Sequence, residues 1–398
     1  MYSEDDINSA VAAGAISAEA ASGFRDYMSE VRALPRQSEE NFRLINSFND
    51  IFVAIGIVIL LLAVGAIGQV IGGMLVTIGA YPDIPSSLAN SDVVRPRNDA
   101  AYLDWRAAQA LQDAMQMALA GLFVAATAWP LSEFFTRKRR MALPSILLLL
   151  AFVGGAFFGA LGAGSALVAD GQETLGALML SASALVAAAA AYIHWKRFAV
   201  PITVAAGAAA VGATIVSLIV AAIGPDTVSS SVILSLVFCA GIAVFAFAMR
   251  WDISDRERIT RRSDVAFWLH LTAAPAIAHP VFALIGVTDG NNIGMGAAFG
   301  VIAVYIAFGL IALAIDRRAL LVSALAYVLF ALTFLFREFG AVELNFALTA
   351  LVIGSALLSL SAFWQPIRAG VVGALPEGLR DMLPATQDTP GASVPNTV

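Results

Sequence analysis

Apolar residues dominate the chain in ten long runs, separated by short breaks rich in charge, glycine or proline. The runs lie roughly at 51–79, 111–135, 144–164, 175–193, 200–223, 232–249, 265–285, 293–315, 319–336 and 346–363. A helix that crosses a bilayer needs about 20 predominantly apolar residues. The pattern therefore predicts an all-α, polytopic transmembrane bundle of about ten spans. The first run is too long for one upright span and too short for two, so it is expected to tilt or to project past the bilayer.

Basic residues collect on the cytoplasmic side of a membrane protein. Placing the N-terminus inside and taking every second break assigns 19 of the 23 basic residues to inner segments. The other four, Arg95, Arg97, Arg106 and Arg337, fall outside. A missed or invented span would scramble this alternation, so the split supports ten spans with both ends inside. Tryptophan prefers the headgroup zone. Trp129, Trp195, Trp251, Trp268 and Trp364 all fall near predicted inner ends, and only Trp105 lies outside.

Composition agrees. Of 398 residues, 59% are hydrophobic and 13% charged, and the mean hydropathy is +0.81. A soluble domain carries roughly 25% charged residues, which excludes a soluble multidomain protein, a nucleic-acid binder and a disordered scaffold. The lone cysteine, Cys239, has no partner for an intrachain disulfide.

Outside the runs, residues 1–48 read as a cytoplasmic helical hairpin. Ser3 with Asp6 fits a capping box, Gly14 fits a helix C-cap, and Ser17 caps a second helix through about Arg32, before Pro35. Ile16, Ala20, Phe24, Tyr27 and Met28 form an apolar stripe. The stripe suits docking to a cytoplasmic protein partner through residues 1–40, or packing on the membrane or on the protein's own loops. No short apolar core precedes a cleavage site, so the first span is expected to remain as an anchor. Residues 49–364 form the bundle, with one sizeable outer loop at 81–110. Residues 365–398 form a cytoplasmic tail, with an amphipathic stretch at 371–383 and a Pro/Thr-rich, disordered end.

The string Ala12-Ala13-Gly14-Ala15-Ile16-Ser17-Ala18-Glu19-Ala20, then an acidic helix and many spans, resembles the DUF2157-type bacterial membrane proteins. That resemblance implies a bacterial inner-membrane protein and supplies no catalytic residues.

Three GxxxG pairs, Gly68/Gly72, Gly155/Gly159 and Gly296/Gly300, allow close helix packing, within the bundle or in a homo-oligomer. A weak repeat links Arg140-Met141-Ala142-Leu143-Pro144 with Arg197-Phe198-Ala199-Val200-Pro201, 57 positions on. That offset is one two-span hairpin. It fits duplication, or the common need for basic residues and a first-turn proline at inner junctions. An inverted five-plus-five arrangement finds little support, because Pro130 and the Pro275/Pro280 pair lie at different depths.

Ionisable residues inside a membrane are costly and mark function. The seventh run holds two of the three histidines, His270 and His279, with Thr272, Pro275 and Pro280. At 1.5 Å per residue the histidines lie about 9 and 22 Å along the helix from Asp264. Each proline withdraws a donor, from the Leu271 and Ala276 carbonyls respectively. Thr272, water or a solute is expected to satisfy them, and the helix to kink and line a wet cavity. Three readings of the histidines stay open: binding or relaying a proton or polar solute, binding metal or haem, and hydrogen bonding to neighbouring helices. Metal is the weakest, since two ligands on opposite faces do not complete a site. Asp113 and Gln116, and Arg337 and Glu338, are fainter outer-end candidates, and Asp316 with Arg317 reads as a solvated inner-loop pair. No nucleotide, zinc-protease or nucleophile motif is present, so neither cofactor nor metal is expected.

The reading that follows is an integral membrane protein that transports or conducts a small solute or ion along the seventh span. The alternative is a scaffold or sensor working through the N-terminal hairpin. An intramembrane enzyme ranks third, for want of an acid–base constellation.

Overall fold

A computed structural model describes residues 4–33, 48–80, 82, 100–168, 171–256, 258, 260–286, 294–338 and 345–384. The chain divides into two compact units, residues 44–386 and a smaller unit that contains residues 1–43. In the smaller unit, α1 (Glu4–Ala12) and α2 (Ala18–Ala33) form the expected hairpin. Gly14 adopts a left-handed φ of +70° at the end of α1, where a side chain would be strained. The Ser17 hydroxyl accepts the Ala20 N–H at 3.0 Å and starts α2. Arg25 donates to Asn8 Oδ1 at 2.7 Å and ties the helices together. Ala21 is buried, whereas Ile16, Ala20 and Phe24 of the predicted stripe are exposed. Ser3 and the side chains of Tyr27 and Met28 lie outside the described residues.

The larger unit begins with α3 (Phe48–Met74), α4 (Ala100–Ser132) and a π-helical turn (Glu133–Lys138). It continues with α5 (Ala142–Ser165), α6 (Glu173–Phe198), α7 (Ile202–Ile223), a 3-10 turn (Pro225–Thr227) and α8 (Ser230–Ile253). Then follow α9 (Arg261–Leu284), α10 (Met295–Ile315), α11 (Ala319–Glu338), α12 (Asn345–Ala362), α13 (Trp364–Gly373) and α14 (Glu377–Arg380). Among the described residues nine helices are long and apolar enough to cross a membrane. A tenth joins them if α12 and α13, bent by 74° where they meet, count as one. The chain is thus a polytopic helical membrane protein, and "inner" below means the end of the bundle bearing the basic loops.

Two boundaries differ from the sequence pattern. Helix α4 begins at Ala100, well before the apolar run, because residues 100–110 are alanine-rich and form helix readily without being apolar enough to span. Its 33 residues reach about 50 Å, so one end projects beyond a hydrocarbon core of about 30 Å. Pro130 removes a donor near the other end, and the wider π turn follows directly. The described part of the predicted tail, through Pro384, is packed: α13 turns back under the bundle, and Leu383 packs with Ile315 and Val372. The remainder of the tail, 385–398, lies outside the described residues.

Most neighbours along the chain pack together, with α3 against α4 and α5, and α9 against α7, α8 and α11. Helix α9 is central. Across an apolar stretch of 18 residues, 56% of its residues are buried, against 11% to 35% for the other described spans. Large apolar side chains elsewhere, such as Ile59 and Leu62 of α3, face outward, as lipid contact requires.

The first half is held by small residues. A Cβ on Gly121 of α4 would lie 2.3 Å from the Gly159 nitrogen of α5, and one on Gly155 would lie 2.7 Å from the Gly121 oxygen. Gly68 and Gly72 of α3 meet the backbone of α4 as closely. Close backbone approach of this kind holds helices together where lipid supplies no hydrophobic drive. Two of the three GxxxG pairs therefore mark seams within this bundle. Gly296 has open space around it, and Gly300 has only Ile285 at ordinary contact distance.

The inner corners share one device. The non-glycine residues with left-handed φ among those described are Arg140, Ala199, Arg258 and Asp316. Each stands two or three residues before the next helix, at the junctions preceding α5, α7, α9 and α11. Their spacings are 59, 59 and 58 positions, close to the 57-residue offset of the sequence repeat. A non-glycine residue in this conformation costs about 1–2 kcal/mol, so its recurrence supports duplication of a two-span hairpin.

Gly121→Val is expected to destabilise the bundle by at least about 1–3 kcal/mol through overpacking. Gly56→Ala, at a position with open space, is expected to cause no loss. Denaturant titration of the two variants in lipid micelles checks both.

Candidate functional site

The helix expected to carry chemistry is α9, and its inner end is built around three carboxylates. Asp255 organises the corner. Its Oδ2 accepts the Thr260 N–H at 3.0 Å, the Thr260 hydroxyl at 2.7 Å and the Ser263 N–H at 3.3 Å. Thr260 then caps α9, accepting the Arg262 N–H at 3.2 Å. This start sets the rotation of the helix and turns His270 toward α8.

Asp252, near the end of α8, is 1% exposed, and both of its oxygens are engaged. His270 Nε2 donates to Oδ2 at 2.8 Å, and Arg317 Nη2 donates to Oδ1 at 2.7 Å. Arg317 also reaches the Ser263 carbonyl at 3.1 Å. Asp316 forms a second node. Arg258 Nη1 donates to its Oδ2 at 2.8 Å and Trp364 Nε1 to its Oδ1 at 2.7 Å, with Arg368 Nε 3.8 Å away. Arg368 in turn holds the Pro384 carbonyl at 2.7 Å, and Arg256 holds that of Leu383 at 3.0 Å. Burial pulls the Arg258 guanidinium below the usual arginine range. Neighbouring Arg317 adds to this, and Asp316 and Asp252 oppose it.

Asp316 and Arg317 are therefore not a solvated loop pair, as the sequence suggested. They are 6% and 2% exposed and bond to different partners. The left-handed turn at Asp316 sends adjacent side chains to opposite sides of the corner. Sequence reading also missed Asp252, Arg258, Trp364 and Arg368. The available signal was acids interleaved with the inner bases, since the rule placing positive charge inside gives no reason for acids.

Each predicted residue has a definite place. His270 is buried, with Phe245 edge-on at 5.1 Å between ring centroids, and its Nδ1 has no hydrogen-bond partner among the described residues. With Nε2 donating, that nitrogen is a bare lone pair in the neutral ring. His279 is exposed on another face, its Nδ1 2.6 Å from Tyr327 Oη of α11. Thr272 donates to the Trp268 carbonyl at 2.9 Å, and so does not serve the carbonyl that Pro275 leaves free. Pro275 is exposed and Pro280 buried, and α9 continues as helix through both. At Ala276, where Pro280 withdraws its donor, the backbone lies against Gly241 of α8. The structure thus separates the two histidines. The third, His194 of α6, is wholly buried among the rings of Trp129, Phe152 and Phe198, with Nδ1 3.4 Å from Thr203 Oγ1.

A cavity of about 660 Å³ lies elsewhere, between α3, α4 and α5. Asp113 and Gln116, the fainter outer-end candidates, line it together with Gln69. Gln112 stands beside it and donates to the Gly73 and Val76 carbonyls at 2.8 and 2.9 Å. The side chains of Arg337 and Glu338 lie outside the described residues. Among the described residues no group of three potential ligands could hold a metal ion.

No protein-family model, no curated protein and no solved structure matches the chain.

Removing one partner of a buried ion pair costs about 3–5 kcal/mol, because the other charge is left unanswered. Asp252→Ala is expected to lose that much. Asp252→Ala combined with Arg317→Met is expected to recover a good part of it. Unfolding measurements on the single and double variants check the coupling, and additive losses would show that the pair acts independently.

Proposed function

We propose that this protein moves a small solute or ion across a bacterial inner membrane, with the inner end of α9 as its charge-handling element. The observation that carries the reading is that His270, on the most buried of the described spans, is bonded to Asp252 of α8, which Arg317 also engages. A buried ion pair usually adds little stability over well-packed apolar residues, so stability alone does not account for this cluster. Intramembrane ionisable groups concentrate on solute paths and proton relays. His270 suits that work: one nitrogen is anchored on a carboxylate, and the other has a lone pair to accept a proton. The resemblance to DUF2157-type proteins supports the bacterial inner-membrane location.

A second reading is a sensor or scaffold working through the N-terminal hairpin. It is favoured by the hairpin belonging to a compact unit of its own, in which Ile16 and Phe24 are exposed.

Proteoliposomes carrying the full chain, screened with small ions and polar solutes under an imposed proton gradient, test the first reading. His270→Ala is expected to reduce flux at least about tenfold, as loss of a relay group does. His279→Ala, on the exposed face, is expected to leave it within about twofold. Equal effects of the two substitutions, or no flux for any solute, would overturn the assignment. Crosslinking in cells with and without residues 1–40 tests the second reading, which predicts partners that vanish with the hairpin.

A further inference from the structure

The cavity between α3, α4 and α5 has the makings of a binding site, independent of whether the chain transports anything. Its volume, about 660 Å³, falls within the range of roughly 300–1,000 Å³ typical of small-molecule sites. Asp113 is the charged residue in its lining, which also includes Gln69 and Gln116. Among the described residues none of these three side chains has a hydrogen-bond or ion-pair partner. Asp113 and Gln69 are exposed and Gln116 is half-buried, whereas Gln112, one position from Asp113, is taken up by the carbonyls of Gly73 in α3 and of Val76 just past its end. An exposed carboxylate beside an apolar wall is complementary to a ligand that carries both a cation and an apolar part.

The rest of the lining is apolar, including Met117, Val124, Leu150 and Phe158. Gly154 keeps this wall open. A Cβ there would meet nothing within 4 Å, whereas one on adjacent Gly155 would strike α4. The space in front of Gly154 therefore belongs to the cavity and not to a helix seam. From Asp113 to Val124 the helix rises about 16 Å, the length of an extended chain of about a dozen carbons.

We propose that this groove binds a single-tailed cationic amphiphile, with its ammonium group at Asp113 and its alkyl chain running past Gly154 along Val124 and Phe158. Charge decides the class. A lone carboxylate attracts an ammonium ion and repels the phosphate of a phospholipid. The apolar wall selects a tail over a simple cation.

The test is equilibrium binding of radiolabelled dodecylammonium to the full chain in phosphatidylcholine nanodiscs, with empty discs subtracted. Saturable binding that dodecyl sulfate and dodecanol do not displace is expected. Asp113→Asn is expected to weaken it about tenfold, the loss of one ionic contact, and Gly154→Leu is expected to abolish it by filling the groove. Thermal unfolding confirms that each variant is folded, and if Gly154→Leu is not, Asp113→Asn decides alone. The proposal fails if the three amphiphiles compete equally, if Asp113→Asn binds as wild type, or if a folded Gly154→Leu still binds. It fails equally if phosphatidylethanolamine in the discs displaces the probe, since the occupant is then bulk lipid. Flux plays no part in the measurement, so its outcome is separate from that of the transport reading.

Discussion

A carboxylate withdrawn from water must be met by opposite charge, and the inner half of this bundle is arranged around that requirement. Asp252 takes one hydrogen bond from His270 and one from Arg317, and so draws α8, α9 and the α10–α11 corner to a common point. Asp316 does the same for Arg258 and Trp364, which brings α13 beneath the bundle. Each of these contacts fixes the rotation of a helix about its axis, something that interchangeable apolar surfaces do poorly. The inner end is therefore the place where the C-terminal helices acquire a unique arrangement.

The two halves solve the packing problem differently. In the first, α3, α4 and α5 approach until backbone meets backbone across Gly68, Gly72, Gly121 and Gly155, with no ionic contact at those crossings. In the second, α9 is surrounded by Ala, Ile, Val and Phe side chains along most of its length, and charge appears only toward its inner end. Small residues let helices touch without filling every space between them, and the groove beside Gly154 lies among these seams.

Much of this was legible in the order of residues. Runs of about 20 apolar residues can hardly do anything but span, and the alternation of basic loops places them in register, so the class of fold follows directly. The hairpin caps at Gly14 and Ser17 were equally readable, because each is a local contact within four residues. The charged cluster was not. Asp252 and Arg317 are 65 positions apart and Arg258 and Asp316 are 58 apart, and at an inner junction each looks like an ordinary solvated residue. His270 and His279 stood out by type, yet which one meets a carboxylate depends on the rotation of α9, and that is set by Asp255 and Thr260 at its start. The groove depends on three helices diverging, and the sequence supplied only two of its polar residues, Asp113 and Gln116, without their relation to Gln69.

The left-handed residues at Arg140, Ala199, Arg258 and Asp316 carry a consequence for topology. Successive corners among them enclose two helices in 58 or 59 positions, which makes the two-helix hairpin the repeating unit of this part of the chain. Excising a whole unit would leave every later loop on its original side. Excising a single helix would invert everything downstream and carry the arginine-bearing corners to the wrong face. A lineage growing by such units gains or loses them in pairs, and its relatives should differ by even numbers of crossings.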